Sequence, residues 1–245
     1  VRHLIVDEMQ DYSMIQYLII QKLFKCKMTI LGDREQTMDG DQQDVLTFLP
    51  KIFGKDIRRI VMNKSYRNTI EIASYANKLA GITEVELFER HGKPVEEKGF
   101  TGLTEALERV VKELRLEKQT VTEAGEDMPE KAASETDGTE NGEELSYETA
   151  AVITRTADEA REAYYILQKK LEAEGFDTKE RLSLLHRDST NFKKGLTVTT
   201  FYMAKGLEFD QVFGVFPKNE NPMTGQAKYI CATRALHELS MYKRA

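Results

Sequence analysis

Short apolar runs alternate along this chain with stretches of helical periodicity, and that alternation restricts the fold more than any other feature. Runs at 4–6, 28–31, 57–62, 149–153, 182–185, 196–200, 211–216 and 239–242 have the length and bounding residues of strands. Between them, Ser13 to Phe24 carries Met14, Ile15, Leu18, Ile19 and Leu23 at helical spacing, with Ser13 as its cap. The stretches 45–49, 69–79, 104–116, 157–173 and 227–237 read as further helices. Strands alternating with helices of about ten or more residues predict an α/β chain built on a parallel sheet flanked by helices. A length of 245 residues suits one large or two modest domains.

Residues 117–146 break this pattern. They hold ten acidic residues against Lys118 and Lys131, with almost no apolar periodicity. Such a segment cannot bury enough surface to offset its ordering entropy, which predicts a disordered, solvated insert; an acidic docking segment is the alternative. The net charge of −6 belongs to this insert, because the rest of the chain holds 33 basic and 31 acidic residues. A near-neutral remainder neither demands nor excludes nucleic acid. No apolar run approaches the roughly 20 residues that span a bilayer, so no membrane contact is expected. Cys26 and Cys231 show no metal spacing and no disulfide framework, which points to a reducing, cytoplasmic setting. The chain opens inside an apolar run and without a Met, as a fragment or a processed chain would.

The polar clusters are expected at the C-terminal ends of strands or the starts of the following helices, the edge where open parallel sheets bind ligands. Asp7-Glu8 follows the run Leu4-Ile5-Val6, and Gly32-Asp33-Arg34-Glu35-Gln36 follows Met28-Thr29-Ile30-Leu31. Ser65-Tyr66-Arg67 and Lys205-Gly206-Leu207-Glu208-Phe209 are two more such clusters, and Thr233-Arg234 sits in a helix that can face the same cleft. An acidic pair ending a buried strand is a place to hold Mg²⁺ and orient a water beside a phosphate; it fits a surface turn equally well.

Taken in order, these pieces resemble the motifs of UvrD/Rep-type superfamily 1 helicases. Asp7-Glu8-Met9-Gln10-Asp11 resembles their DExxQ Walker B box, and Gly32-Asp33 through Gln36 their GDxxQ motif III. Ser65-Tyr66-Arg67 is similar to motif IV, Thr200 through Phe209 to motif V, and Tyr229 through Ala235 to motif VI. The resemblance implies a second RecA-like motor lobe at 63–245, preceded at 1–62 by the last strands of a truncated first lobe. It also implies ATP and Mg²⁺ as cofactors of the complete protein, and single-stranded or duplex DNA as partner.

The implied roles fall on individual residues. Asp7 would hold the metal, and Glu8 would polarise the attacking water. Gln36 would sense the γ-phosphate. Tyr66 would stack on the adenine, Glu208 would bond the ribose, and Lys205 and Gly206 would belong to the nucleotide site. Arg67 and Arg234 would reach the transferring phosphoryl group from the second lobe. Thr200 and Tyr202 would meet nucleic acid.

Three departures qualify the resemblance. No G-x-x-x-x-G-K-[ST] phosphate loop occurs, so negligible hydrolysis is expected from this chain alone; the first motor lobe that carries the loop would be its partner in the parent chain. After Gln36 the family places an aromatic that stacks on a base, whereas this chain has Thr37-Met38-Asp39. Tyr202 stands where a His is common. The wording around Asp7 to Ser13 and Lys27 to Asp33 also resembles HelD-type (helicase IV-like) proteins of Gram-positive bacteria. That family implies an ATPase that binds RNA polymerase and recycles it. An inactive interaction fragment is the third reading.

Overall fold

The structure is a computed structural model that describes residues 1–33, 36, 44–54, 56–62, 64–83, 86–116, 146–187, 189, 193–216 and 222–244. Arg34, Glu35, the Thr37-Met38-Asp39 departure and the acidic stretch 117–145 lie outside them. The flanks of that stretch meet, since Leu116 bridges Tyr147 and the Tyr147 N–H donates to Arg115 O at 2.6 Å.

The first elements form a small layer. Strand β1 (His3–Val6) pairs in parallel with β2 (Lys27–Ile30), Leu4 opposite Met28 and Val6 opposite Ile30. Helix α1 (Met14–Leu23) connects them and starts with a capping box, in which Ser13 and Gln16 satisfy each other's otherwise free N–H groups. Helix α2 (Val45–Phe53) closes the layer, and Tyr17, Phe48, Leu49 and Ile52 make its core with Val6.

The remainder is organised on a six-stranded sheet. Strand β5 (Glu96–Phe100) is one edge, followed by β10 (Ala235–Arg244), β9 (Phe209–Phe216), β6 (Thr149–Thr154), β8 (Gly195–Thr200) and β7 (Leu182–Leu184). Every pairing is parallel. The expected α/β class, a parallel sheet flanked by helices, therefore holds. The strand period of two explains why both faces are apolar. On β6, Ala150 and Val152 point to one core while Ala151 and Ile153 point to the other. Helices α4 (Leu103–Glu113) and α5 (Ala157–Ala173) cover the first face. The second is covered by α3 (Ile70–Ala80), α7 (Phe201–Ala204) and α8 (Pro222–Arg234). Helix α6 (Thr178–Arg181) leads into β7. A two-residue ribbon, β3 (Lys64–Ser65) with β4 (Glu86–Leu87), lies outside the sheet.

Two expectations need correction. The run Ile57 to Met62 is not a strand: Ile60, Val61 and Met62 are 71%, 67% and 89% exposed and pair with no described strand. An apolar run without a neighbouring edge leaves its backbone groups to water. The rule that chemistry gathers where strands end fails for the Lys205 to Phe209 cluster, because Glu208 immediately precedes β9 and stands where a strand begins. Thr233-Arg234 lies at the end of α8, inside a helix as expected. Among the described residues no helix is long and apolar enough to cross a membrane.

Candidate functional site

The loop after β1 is built around a strained residue. Glu8 has φ +53°, the left-handed region, and is the one non-glycine residue there among those described. Its N–H donates to Asp7 Oδ1 at 2.8 Å, and Gln10 Nε2 donates to its Oε2 at 2.5 Å. Gln10 is itself buried, and its Oε1 accepts the Asp33 N–H at 3.1 Å. The loops after β1 and β2 are thus tied together, and both carboxyl groups of Asp7-Glu8 are oriented from behind. Gly32 permits this approach: a Cβ there would stand 2.6 Å from Met9 N.

Two side chains from the large sheet's second face close on these loops. Lys205, between α7 and β9, donates to both oxygens of Asp11 at 2.6 Å and lies 3.3 Å from Glu8 Oε2. Arg234, at the end of α8, donates to Gln36 Oε1 at 3.2 Å and to Leu207 O at 3.2 Å. Gln36 in turn donates to Asp33 Oδ2 at 2.9 Å, and Tyr229 O–H donates to the same oxygen at 3.0 Å. Gly206, which takes φ +82°, turns the chain between Lys205 and β9. The result is a continuous polar junction in which Glu8, Gln36, Lys205 and Arg234 meet.

Arg67 and Glu208 form a second pair beside it, Nε to Oε1 at 2.9 Å. The arginines influence each other across this junction. Burial pushes the Arg234 guanidinium below its ordinary value, and the Arg67 charge pushes the same way. Glu8, Glu208 and Asp33 oppose both through space, while the guanidinium's own hydrogen bonds go to Gln36, Leu207 O and Thr233.

Other expected residues lie at the rim or apart. Tyr66 is 61% exposed; its ring centroid lies 5.8 Å from that of exposed Phe88, with Lys64 Nζ 5.7 Å from it. Thr200 is buried and its hydroxyl accepts the Met203 N–H at the start of α7, a capping role that leaves it outside the junction. Tyr202 is exposed and packs on Phe201.

Sequence reasoning missed Asp11, Asp33, Tyr229, Asn68, Phe88 and Arg90 as partners. The first four lie inside or beside the quoted motifs, so proximity was an available signal. Phe88 and Arg90 lie in a stretch without periodicity and gave none. For a metal, Asp7 offers one exposed carboxylate; among the described residues no group of three or more His, Cys, Asp or Glu is placed to hold an ion by itself.

No protein-family model and no curated protein matches the sequence. Among solved structures, the chain is similar to the C-terminal domain of a possible DNA helicase from Lactobacillus plantarum WCFS1, at 18% identity and a TM-score of 0.46 over 73% of this chain and 87% of that one. It is also similar to the DUF1998 helicase MrfA bound to DNA, at 10% identity and a TM-score of 0.48 over 100% of this chain and 29% of that one. T. fusca Cas3-ADP follows at 11% identity and a TM-score of 0.44, over 98% and 30%. The chain therefore spans less than a third of the length of the last two. At such identities the likeness concerns the fold alone.

Proposed function

We propose that residues 1–62 end a first RecA-like lobe and residues 63–245 form the second lobe of an ATP-dependent superfamily 1 helicase or translocase of UvrD/Rep type, acting on DNA. The observation that carries this reading is the junction in which Glu8 and Gln36 from one side meet Lys205 and Arg234 from the other. Such a junction lets a nucleotide report its presence across a cleft. Arginines supplied from a second lobe make hydrolysis depend on closure, and such a finger contributes about 10³–10⁵ in rate. Opening and closing with each ATP would then move the lobes along a strand.

In this reading Asp7 contributes one carboxylate to Mg²⁺. That fits the ion's habit of keeping several waters and taking one or two carboxylates plus phosphate oxygens. The metal would neutralise charge developing on the phosphates. Glu8, oriented by Gln10, polarises the attacking water. Arg67 and Arg234 hold the terminal phosphate, Tyr66 carries the base, and Glu208 bonds the ribose. Exposed Ile5 on β1 and exposed Ile15, Ile19 and Leu23 on α1 support a larger first lobe in the parent, since parallel sheets are ordinarily covered on both faces. That lobe would bring the phosphate loop.

A HelD-like parent that recycles RNA polymerase is the second reading. The Thr37-Met38-Asp39 stretch favours it, because base–aromatic stacking is worth about 1–3 kcal/mol per base and no aromatic is present there to supply it. An inactive fragment is disfavoured by the junction itself, which a remnant has no chemical need to keep. The test is titration of the purified chain with Mg²⁺ and a fluorescent ATP analogue. The expected result is measurable binding that prefers triphosphate to monophosphate and is weakened but still measurable in Arg67→Ala, with negligible turnover. Binding indifferent to the phosphate number, or unchanged in both Arg67→Ala and Arg234→Ala, refutes the reading.

A further inference from the structure

Arg90 lies in a loop that no motif covers, yet both its backbone and its side chain are tied to neighbouring segments. Its N–H donates to Phe88 O at 2.8 Å and its carbonyl accepts the Ile70 N–H at 2.9 Å, so its backbone is pinned to the first turn of α3. Two residues on, the Gly92 N–H donates to Glu71 Oε2 at 2.8 Å, which anchors the loop a second time on the same helix. From this base the side chain reaches inward, and one guanidinium nitrogen, Nη2, donates to two carbonyls: Arg67 O at 2.7 Å and Leu236 O at 2.6 Å.

Those acceptors belong to the segments that carry Arg67 and Arg234. Leu236 is free to accept because the β10–β9 register shifts between Ala235 and Glu238, a bulge that removes its carbonyl from regular pairing. Asn68 Nδ2 adds a further bond, to Ala235 O. The Arg67-Asn68 turn and the Ala235-Leu236 bulge are therefore stitched together although 167 residues separate Asn68 from Ala235.

We propose that Arg90 is a positioning residue that fixes the spacing between Arg67 and Arg234, so that the two guanidinium groups meet one phosphoryl group as a unit. Such a device has a purpose: two like charges brought close repel, and the backbone beneath them must hold the distance. A backbone donor that bridges both segments does this without occupying the site. The inference rests on the nucleotide reading above and deepens it.

The test is a double-mutant cycle on affinity for the fluorescent ATP analogue with Mg²⁺, using Arg90→Met, Arg90→Lys and Arg67→Ala. Arg90→Met removes the donors and is expected to weaken binding about ten-fold, within the range of coupling inside one hydrogen-bonded network. Arg90→Lys keeps a charged donor and recovers part of the loss. In an Arg67→Ala background, Arg90→Met costs nothing further, because the arginine it positions is gone. An undiminished penalty in that background overturns the proposal, since Arg90 then acts through general folding. So does full affinity in Arg90→Met while Arg67→Ala is impaired. Full affinity in both variants overturns the proposal as well, and if Arg234→Ala also binds fully, the nucleotide reading itself is refuted.

Discussion

The Lys205 contact offers the most quantitative test of how the two parts are held together. Its side chain is 8% exposed, while Asp11 and Glu8 are 41% and 40% exposed, so a buried cation faces two half-solvated carboxylates. A hydrogen bond to a charged group contributes about 1.5–3 kcal/mol, an exposed ion pair about 0.2–1 kcal/mol. The intermediate burial puts the Lys205–Asp11 coupling at about 1–2 kcal/mol. The burial asymmetry adds a second, sharper expectation. Lys205→Met keeps the apolar stem and removes the charge, whereas Asp11→Asn leaves a buried ammonium with only Glu8 at 3.3 Å. Asp11→Asn should therefore destabilise more than Lys205→Met. Urea denaturation followed by circular dichroism measures both, since the chain has no Trp to serve as a probe. The double mutant completes the cycle. A coupling under about 0.3 kcal/mol, or Lys205→Met as the costlier change, refutes the reasoning.

Three further outcomes follow from individual contacts. Gly32→Ala puts a Cβ 2.6 Å from Met9 N and should cost about 1–3 kcal/mol by overpacking, read as a lowered melting temperature. Glu71 titrates below its ordinary value: burial pushes it up, but its own N–H, the Gly92 N–H and His91 outweigh burial. A carboxyl lowered by folding stabilises fully above its unfolded value of about 4.3 and loses that contribution as pH falls through the folded value, so the stability gap between wild type and Glu71→Gln should close on acidification. Under the proposed function, Tyr66→Ala should weaken binding of the ATP analogue by about 1–3 kcal/mol, and Phe88→Ala by less, because Phe88 only supports the stacking ring; equal binding in all three proteins counts against an aromatic base ledge.

The sheet was legible because its strands alternate between two cores. Val152 and Ile153 are both fully buried, as a parallel strand covered on both faces requires. Strand β5 was not legible: Glu96-Glu97-Lys98-Gly99 is an edge whose charge suits solvent, so no apolar run marks it. Ile57 to Met62 erred the other way, apolar in sequence but without an edge to pair with. Among site residues, Glu8, Gln36, Lys205 and Arg234 could be picked out because their chemistry is local to short motifs. Arg90 could not, because its role depends on a carbonyl freed by a bulge 146 residues away.

Under the proposed function, the ion pairs would also decide which cation an incoming phosphate recruits first. Each of the three is already engaged: Arg67 by Glu208, Lys205 by Asp11 and Glu8, and Arg234 by Gln36 and Leu207 O. Under the proposed function, phosphate binding at this junction would therefore be an exchange of partners. The Arg67–Glu208 pair is 49% and 43% exposed, and releasing a pair so solvated costs about 0–1 kcal/mol. Lys205 is buried and doubly bonded, and Arg234 is buried with a neutral amide as its partner across the junction, so neither is released as cheaply. Under the proposed function, Arg67 would then be the first cation to meet the nucleotide, and its release would free the Glu208 carboxylate for the ribose. One exchange would supply both contacts, which gives a physical reason for these two residues to be paired before any nucleotide arrives.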